Sequence, residues 1–363
     1  MRAVVFAGYG MAPVVTEVAE PACPDGGAVL TVGATGLCRS DWHAWRGHEM
    51  VPLPHIPGHE LAGVVAEVGP GVSRWRPGDR VTLPFVCGCG RCAYCLAGQP
   101  QVCPDQTQPG FTGPGSFAER VAIHAADLNL VALPDSVGFV AAATLGCRFA
   151  TAYRAITAHG RPGPGDWLAV HGCGGVGLSA IMIGAAVGAR VVAVDVSRRA
   201  LDLARTLGAE EVVHADAGGA GSGGAGSSGG GSGGGDPVAA VRDITGGGAH
   251  VSLDAFGSAA SAVASVRCLR RQGRHVQVGL LHGPDSTPPI PMDIVIAHEL
   301  AIHGSHGMAA HEYPAMLAMV EDGTLRPELL VRETIGLDGA GTALAAMDDP
   351  ARPPGITVIT LPG

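Results

Sequence analysis

The chain of 363 residues contains no lysine, and all 23 of its basic residues are arginine. This absence excludes mechanisms that depend on a lysine amine, such as Schiff-base formation, attachment of pyridoxal phosphate and the lysine of phosphate-binding loops. It also excludes the Tyr-x-x-x-Lys pair of short-chain dehydrogenases. Any catalytic group must come from other residue types, and the sequence holds 15 histidines and 10 cysteines.

Long apolar runs and an excess of positive charge are also missing. No stretch of eighteen or more apolar residues occurs, so no membrane span is predicted. The sequence begins Met-Arg-Ala-Val-Val-Phe, without a long apolar run or a small-residue cleavage site, so we predict no signal peptide and expect a cytoplasmic location. The formal net charge of −9 gives no general attraction to nucleic acid. We therefore expect neither a membrane nor a nucleic-acid partner.

The distribution of short apolar segments predicts two kinds of structure. The first third is β-rich, because short branched segments such as 28–32 and 63–68 alternate with glycine–proline turns. From about Asp166, strand-like and helix-like segments alternate, which is typical of an α/β protein with a parallel sheet. The strands predicted in this part are 167–171, 190–194, 211–214, 251–255, 275–280 and 300–303.

Residues 217–235 contain only glycine, serine and alanine. Such a segment has no large apolar side chains to bury, so it is predicted to be a flexible surface loop without a catalytic role. The alternative is an insertion that regulates the protein or binds a partner.

Four cysteines, Cys89, Cys92, Cys95 and Cys103, stand in the pattern C-x2-C-x2-C-x7-C. Zinc in structural sites takes four ligands at tetrahedral corners, and close cysteine pairs in a tight turn present two sulfurs to one ion. The spacing predicts a closed structural zinc site, with an iron–sulfur cluster and reduced thiols as the alternatives. Cys87 is a fifth cysteine, and we leave it out because Cys89 gives the better spacing.

The segment 172–177 reads Gly-Cys-Gly-Gly-Val-Gly and fits the G-x-G-x-x-G pattern of dinucleotide-binding loops, between a predicted strand and a predicted helix. Asp195 follows about 20 residues later, where a carboxylate binds the adenosine ribose and repels a 2′-phosphate, so NAD is favoured over NADP. Arg198 and Arg199 come next and either pack on the adenine or admit NADP. The predicted cofactor-binding residues of this region are Gly172, Gly174, Gly175, Val176, Gly177, Asp195 and Arg199.

Together, four motifs resemble the zinc-containing alcohol dehydrogenases of the medium-chain dehydrogenase/reductase family. They are Gly-Leu-Cys38-Arg-Ser-Asp-Trp-His43, Pro57-Gly-His59-Glu60-Leu-Ala-Gly63-Val-Val, the four-cysteine segment and the glycine-rich loop. The likeness covers nearly the whole chain except 217–235. It implies a GroES-like, β-rich catalytic domain formed by residues 1–148 and 306–363. It also implies a doubly wound Rossmann NAD-binding domain formed by 149–305, with the active site in the cleft between the two.

The resemblance implies that Cys38, His59 and Cys147 bind a catalytic zinc, with a fourth position open for water or substrate. Spacing alone does not link Cys147 to the other two. Glu60 is implied to lie close behind the metal as an alternate ligand. Gly-His-Glu also occurs at 47–49, and we choose the copy at 58–60 because it carries the flanking proline and the trailing strand of the family.

The resemblance also implies how the proton and the cofactor are handled. Ser40 takes the proton from the alcohol oxygen, and His43 delivers it to solvent through the cofactor ribose. We expect Asp41 to orient the ring of His59, as carboxylates commonly do for zinc-bound imidazole. For the cofactor, Arg39 is implied to contact the pyrophosphate and Thr151 to lie near the nicotinamide.

The sequence therefore predicts an enzyme with two zinc ions and NAD that interconverts an alcohol and an aldehyde or ketone, as a homodimer or homotetramer. One alternative is a quinone or enoyl reductase of the same fold. Such relatives generally lack both zinc sites, so the measured metal content distinguishes the two. A non-catalytic zinc- or redox-sensing regulator is the second, although Ser40 and His43 beside a full ligand set argue against it. The third is a zinc-ribbon nucleic-acid binder, which the acidic balance disfavours.

Overall fold

A computed structural model of the chain describes residues 1–215, 235–349 and 351–362. The chain divides into a first unit, Met1–Ala150 with His306–Gly363, and a second unit, Thr151–Ser305. Apart from Gly235, the segment 217–235 that we predict to be flexible lies outside the described residues. Within the described ranges, no helix combines the length and the apolar character needed to cross a membrane.

Fifteen strands and twelve α-helices are found in the described part of the chain. The strands are β1 Arg2–Val5, β2 Val14–Glu17, β3 Ala28–Leu37, β4 Glu60–Val68, β5 Arg80–Thr82, β6 Arg120–Ile123, β7 Val131–Ala132, β8 Trp167–His171, β9 Arg190–Asp195, β10 Glu211–His214, β11 Ala249–Asp254, β12 Leu269–Gln277, β13 Ala301–Gly304, β14 Val331–Gly336 and β15 Ile356–Thr360. The helices are α1 Arg39–Trp45, α2 Ala93–Leu96, α3 Ala126–Asn129, α4 Phe139–Ala142, α5 Ala150–Arg154, α6 Gly175–Ala186, α7 Arg198–Thr206, α8 Pro237–Ile244, α9 Ala259–Arg267, α10 Met292–His298, α11 Tyr313–Glu321 and α12 Ala340–Ala345.

The first unit is built on a mixed sheet with the strand order β14-β15-β3-β4-β5-β7, in which β6 also pairs with β3. β3 and β4 are antiparallel, and Gly36 lies opposite Glu60 in their register. β3 ends at Leu37 and β4 begins at Glu60. This register therefore places Cys38, just after one strand, beside His59, just before the other.

The second unit is a six-stranded parallel sheet with the order β10-β9-β8-β11-β12-β13. The central strand β8 is buried along its whole length, as parallel strands covered on both faces usually are. Numbered within this unit, the order is the 3-2-1-4-5-6 of the doubly wound Rossmann fold, so the predicted parallel α/β sheet is confirmed. Ligands of such sheets bind beyond the carboxyl ends of the strands where the order reverses. The glycine-rich loop follows β8 at that point.

Among the strands of the second unit, β12 differs from its prediction by more than two residues. β12 spans Leu269–Gln277 instead of 275–280. Its first half carries exposed polar residues, and Gln272 adopts a left-handed conformation with φ 59°. This half therefore shows no apolar alternation in the sequence. The strand ends where the backbone N–H of Gly279 donates to the carbonyl of Asp254 (2.8 Å).

Candidate active site

Asp41 joins the two segments that carry the predicted zinc ligands. Its carboxylate accepts hydrogen bonds from the backbone N–H of Cys38 (2.9 Å), the backbone N–H of Gly58 (3.0 Å) and Nδ1 of His59 (2.9 Å). Asp41 and His59 are both buried. Gly58 has φ 106°, and a Cβ there would lie 2.7 Å from the backbone nitrogen of Phe117, so only glycine fits. The predicted orientation of His59 by Asp41 is confirmed.

The sulfur atoms of Cys38 and Cys147 and a ring nitrogen of His59 lie within 4.8 Å of one another. A π-helical turn, Leu145–Phe149, carries Cys147, and such turns are frequent at functional sites. Nε2 of His59 is buried and has no hydrogen-bond partner among the described residues. A buried polar atom without a partner is costly. Two cysteine sulfurs and one imidazole nitrogen are a ligand set that zinc accepts, so these residues fit a zinc ion.

The electrostatics of this group favour a thiolate. The hydrogen bond from the Cys147 thiol lowers the pKa of Cys38 well below its ordinary value, and the positive charge of Arg148 lowers it further. The same pairing, together with burial, raises the pKa of Cys147 well above its ordinary value. The thiolate form is therefore favoured at one sulfur, that of Cys38, before any cation binds. A bound cation would release the proton of the other, because only the thiolate is a metal ligand.

Glu60 lies outside this group of three, and its carboxylate is paired with Arg148. The backbone N–H and Nε of Arg148 donate to Oε1 of Glu60 at 2.8 Å and 3.1 Å, and Nη2 contacts Oε2. Nη1 donates to the carbonyl of Leu37 (3.1 Å). Gly36 makes room for the pair, since a Cβ there would lie 2.7 Å from Oε2 of Glu60. Burial raises the pKa of Glu60, whereas the guanidinium opposes this change.

Ser40 and His43 lie on α1, which begins directly after Cys38. Oγ of Ser40 is 3.8 Å from Sγ of Cys38. His43 is half-buried, and its Nδ1 lies 3.1 Å from Nδ1 of His48. The helix thus begins at a candidate ligand and carries both residues of the predicted proton path within its seven residues.

Two other residues predicted to contact the cofactor occupy defined positions. Arg39 is the first residue of α1, and its Nη1 donates to the carbonyl of Met347 (2.6 Å). Its guanidinium lies 3.7 Å from the centre of the Trp42 ring. Thr151 is buried in α5. The contact of Arg39 with the pyrophosphate and the place of Thr151 near the nicotinamide stay predictions.

The four cysteines of the C-x2-C-x2-C-x7-C pattern come together, with their sulfur atoms within 4.8 Å of one another. The sulfurs of Cys92 and Cys103 are 3.6 Å apart, close to the ~3.8 Å edge of a tetrahedron with 2.3 Å zinc–sulfur bonds. The backbone N–H of Cys89 donates to Sγ of Cys103, and that of Cys95 donates to Sγ of Cys92, each at 3.4 Å. Cys87 is buried outside the group. The four residues fit a structural zinc ion.

Three positions of the loop after β8 are occupied by glycine for different structural reasons. Gly172 has φ 91°, which side chains rarely adopt. A Cβ on Gly177 would lie 1.8 Å from the carbonyl oxygen of Gly172, so only glycine fits there. At Gly174, by contrast, a Cβ would meet nothing within 4 Å. The first turn of α6 contains Gly175, Val176 and Gly177, and a helix N-terminus attracts phosphate. The open space over Gly174 fits the approach of a pyrophosphate.

Asp195 ends β9 and is half-buried. Its carboxylate accepts hydrogen bonds from the backbone N–H of Cys173 (2.6 Å) and of Ser197 (2.7 Å). The acid is therefore tied to the glycine-rich loop and to the start of α7. Arg199 is exposed on α7.

Known proteins match both halves of the chain. The family described as alcohol dehydrogenase GroES-like domain matches residues 24–135, and the family described as zinc-binding dehydrogenase matches residues 175–322. An alcohol dehydrogenase from Geobacillus stearothermophilus is 35% identical over 308 residues, which are 84% of each chain. The chain belongs to the zinc-binding, medium-chain alcohol dehydrogenases.

Solved structures extend the match to the whole chain. An alcohol dehydrogenase from Thermus sp. ATN1 has 30% sequence identity and a TM-score of 0.88, and each chain is covered completely. A structure described as an NAD-dependent alcohol dehydrogenase has 29% identity and a TM-score of 0.85, again with complete coverage of both chains. The predicted fold, a GroES-like domain with a Rossmann domain, is confirmed. As an alcohol dehydrogenase, the chain interconverts an alcohol and a carbonyl compound.

Two features of the site of this alcohol dehydrogenase were not predicted from the sequence. Arg148 holds Glu60, although 88 positions separate them. The rings of Phe85 and Phe111 flank that of His59, with centroids 6.1 Å and 5.0 Å away. Aromatic residues make up only 4% of the chain, so each one near a candidate motif could have been singled out.

Proposed function

We propose that this alcohol dehydrogenase holds a catalytic zinc at Cys38, His59 and Cys147 and a structural zinc at the four cysteines 89, 92, 95 and 103. The observation that carries the first assignment is the buried, unpartnered Nε2 of His59 in a group with two sulfurs. A zinc ion held there would lower the pKa of a bound alcohol and polarise a bound carbonyl group. Asp41 supports this role, because its bond to Nδ1 leaves the lone pair of Nε2 for a cation.

The proton released on oxidation of the alcohol leaves through Ser40 and His43. A hydroxyl accepts one proton while it donates its own, and an imidazole changes charge near neutral pH. The position of Ser40, 3.8 Å from the sulfur of Cys38, supports its contact with the reacting oxygen. His43 follows on the same helix and is half-buried, which suits a group that links a buried site to water.

Metal analysis of the purified protein, combined with an NAD-reduction screen over primary, secondary, aromatic and polyol alcohols, tests this proposal. The wild-type chain should contain two zinc ions. His59→Ala should retain one ion and lose turnover, whereas Cys92→Ser should lose the other. Two bound zinc ions without turnover on any alcohol or carbonyl compound would contradict the catalytic assignment. A His59→Ala enzyme with two zinc ions would contradict the ligand set.

We further propose that NAD is the preferred cofactor and that it binds the glycine-rich loop, Asp195 and Arg199. The carboxylate at the end of β9 supports NAD, because it would repel a 2′-phosphate. A similar solved structure is described as NAD-dependent. Hydride transfer is the chemistry of the nicotinamide, while the chain supplies binding and orientation.

Replacing Asp195 with serine is expected to lower kcat/KM for NAD about 10- to 100-fold, since a hydrogen bond to a charged group contributes about 1.5–3 kcal/mol. The kcat/KM for NADP should rise at the same time, because a repelling charge is removed. Asp195→Asn keeps the size and one acceptor of the side chain and should lose less with NAD. An Asp195→Ser enzyme with the wild-type ratio of the two kcat/KM values would refute the assignment of Asp195.

A matched pair of glycine substitutions separates cofactor binding from folding. Gly174→Ala places a methyl group in open space, so the melting temperature should stay unchanged while KM for NAD rises about tenfold. Gly177→Ala forces a Cβ against the carbonyl of Gly172, so the free energy of unfolding should fall by about 1–3 kcal/mol. Thermal unfolding and steady-state kinetics of both variants check this. Unchanged KM in a stable Gly174→Ala enzyme would place the pyrophosphate elsewhere.

We also propose a homodimer or homotetramer in a reducing compartment such as the cytoplasm. The exposed Ile302 on β13, which ends the six-stranded sheet in the described part of the chain, supports association. All ten cysteines are free, and zinc-binding thiolates require reducing conditions. Sedimentation of the purified protein tests the assembly.

A further inference from the structure

The first Gly-His-Glu copy, at 47–49, lies outside the group of three ligands, yet its histidine rests against the proposed proton path. Nδ1 of His48 is 3.1 Å from Nδ1 of His43. The backbone N–H of His48 also donates to the carbonyl of His43 (2.9 Å). Gly47, with φ 74°, makes the turn that brings the chain back after α1. Two separate contacts therefore hold His48 on His43.

Trp42 fixes the position of both imidazoles. Its ring centroid lies 5.0 Å from that of His43 and 5.2 Å from that of His48, edge-on in both cases. Nε1 of Trp42 donates to Asp348 (2.7 Å), and the guanidinium of Arg39 covers its ring face at 3.7 Å. Groups outside the histidine pair thus anchor the indole, and the pair is packed against a fixed surface.

We propose that His48 is the terminal member of the proton path and passes the proton from His43 to water; this rests on the proposed function of Ser40 and His43. The two Nδ1 atoms share one hydrogen, so one ring donates and the other accepts. When Nε2 of His43 gains a proton, its Nδ1–H bond breaks and an N–H bond forms on Nδ1 of His48. Nε2 of His48 then releases its proton to water, and both rings are neutral again.

The burial of the two rings agrees with this direction. His43 is half-buried, whereas His48 is exposed. Reduction of a carbonyl compound needs a proton, and the same steps run in reverse from water to His43. Before the next oxidation, His48 regains its starting tautomer by proton exchange with solvent, and half-buried His43 regains its own by exchange of its ring protons with water between turnovers.

The charged residues that contact Trp42, His43 or their charged neighbours are Arg39 and Asp348 on Trp42, Arg46 on Asp348, and Glu49, whose backbone N–H donates to the carbonyl of His43 (3.4 Å). Arg46 forms an ion pair with Asp348, and burial lowers the pKa of Arg39, which Asp348 opposes. Carboxylates and guanidinium groups keep their charge between pH 5.5 and 8.5. A difference between wild type and variant in this range therefore reports on the histidines.

The test is the single-turnover rate of reduced-nicotinamide formation between pH 5.5 and 8.5, measured by stopped flow on the zinc-loaded enzyme. His48→Gln retains a hydrogen-bonding side chain that does not relay protons. We expect its rate to fall about 3- to 10-fold, less than the ~100-fold or more that a direct general base contributes. Added imidazole should restore the rate. His124→Gln removes another exposed histidine of the same unit and should match wild type at every pH.

His43→Gln separates this proposal from the one on which it rests. A slow His43→Gln enzyme together with a wild-type rate for His48→Gln would overturn the role of His48 and keep the path through His43. Wild-type rates in both variants would overturn both roles. A slow His48→Gln enzyme that imidazole does not restore would give His48 a purely structural role and would also overturn the proposal.

Discussion

Replacing Arg148 with methionine is expected to lower the free energy of unfolding by about 3–5 kcal/mol, the usual effect of removing one partner from a buried ion pair. The side chains of Arg148 and Glu60 are both buried, at 9% and 0% exposure. Without the guanidinium, the carboxylate of Glu60 retains the hydrogen bond from the backbone N–H of residue 148 (2.8 Å) and loses its contacts with Nε and Nη2. The carbonyl of Leu37 also loses its donor. Denaturant unfolding of the zinc-loaded protein measures this loss.

A double variant shows that the effect comes from the pair itself. Arg148→Met with Glu60→Gln leaves no buried charge from the pair without its counterion, so much of the lost stability should return. Glu60→Gln alone should be destabilising, because it leaves the guanidinium buried without its counterion. Simple addition of the two single effects would mean that the contact contributes no coupling energy. In that case the cost of Arg148→Met would have to come from lost packing.

The ion pair also shows which part of the site could be predicted from the sequence. Cys89, Cys92 and Cys95 are close along the chain, so their spacing predicts that they bind one metal ion, without any knowledge of the fold. Cys147 is brought to Cys38 by tertiary structure, and only the family resemblance linked the two. The same holds for Glu60: the resemblance implied an alternate zinc ligand, and the structure places its carboxylate on the neighbour of Cys147.

Local geometry explains what else the sequence left open. The π-helical turn 145–149 has the composition of an ordinary helix, so nothing in its pattern indicates the extra residue per turn. Most of the first half of β12 is exposed and polar: Leu269 pairs with Ala249 of β11, and the register then shifts to Arg274 opposite Val251, so no apolar alternation marks the intervening residues. Gly-His-Glu occurs twice, and sequence context assigned only the copy at 58–60. That the other copy contacts His43 follows from a turn at Gly47, which no periodicity indicates.

Acidification below pH 6.5 is expected to destabilise the second unit, because two histidines are buried uncharged in its sheet. His171 and His275 are 3% and 1% exposed. Burial lowers the pKa of His171 to about 3. Burial also lowers the pKa of His275 to about 4, although a hydrogen bond with Gln277 opposes this change. In the unfolded chain both rings have a pKa near 6.5.

The sign of the effect follows from these pKa values. Between pH 6.5 and about 4, the unfolded chain binds a proton at each ring and the folded chain does not. The free energy of unfolding therefore decreases as the pH is lowered. Above pH 6.5 neither state is protonated, and the full stability is present. Each ring contributes a slope of about 1.4 kcal/mol per pH unit, and together they should remove about 3 kcal/mol between pH 6.5 and 5. Most carboxylates titrate below this window.

Replacing either histidine with a residue that does not titrate should remove the contribution of that ring to the pH dependence of the unfolding free energy. The ring of His275 lies 3.2 Å from Ser252 Oγ and 3.0 Å from Ser265 Oγ, so His275→Asn keeps a polar partner for these hydroxyls. The ring of His171 contacts the sulfur of Cys268 at 3.5 Å, so His171→Met suits its surroundings. Each variant should bind about one proton fewer on unfolding at pH 5.5, as measured from the pH dependence of the unfolding free energy.

The exposed control His124→Gln should retain the wild-type slope. An unchanged slope in both buried variants would mean that these rings are already protonated in the folded chain, and the acid sensitivity would then have to come from other groups.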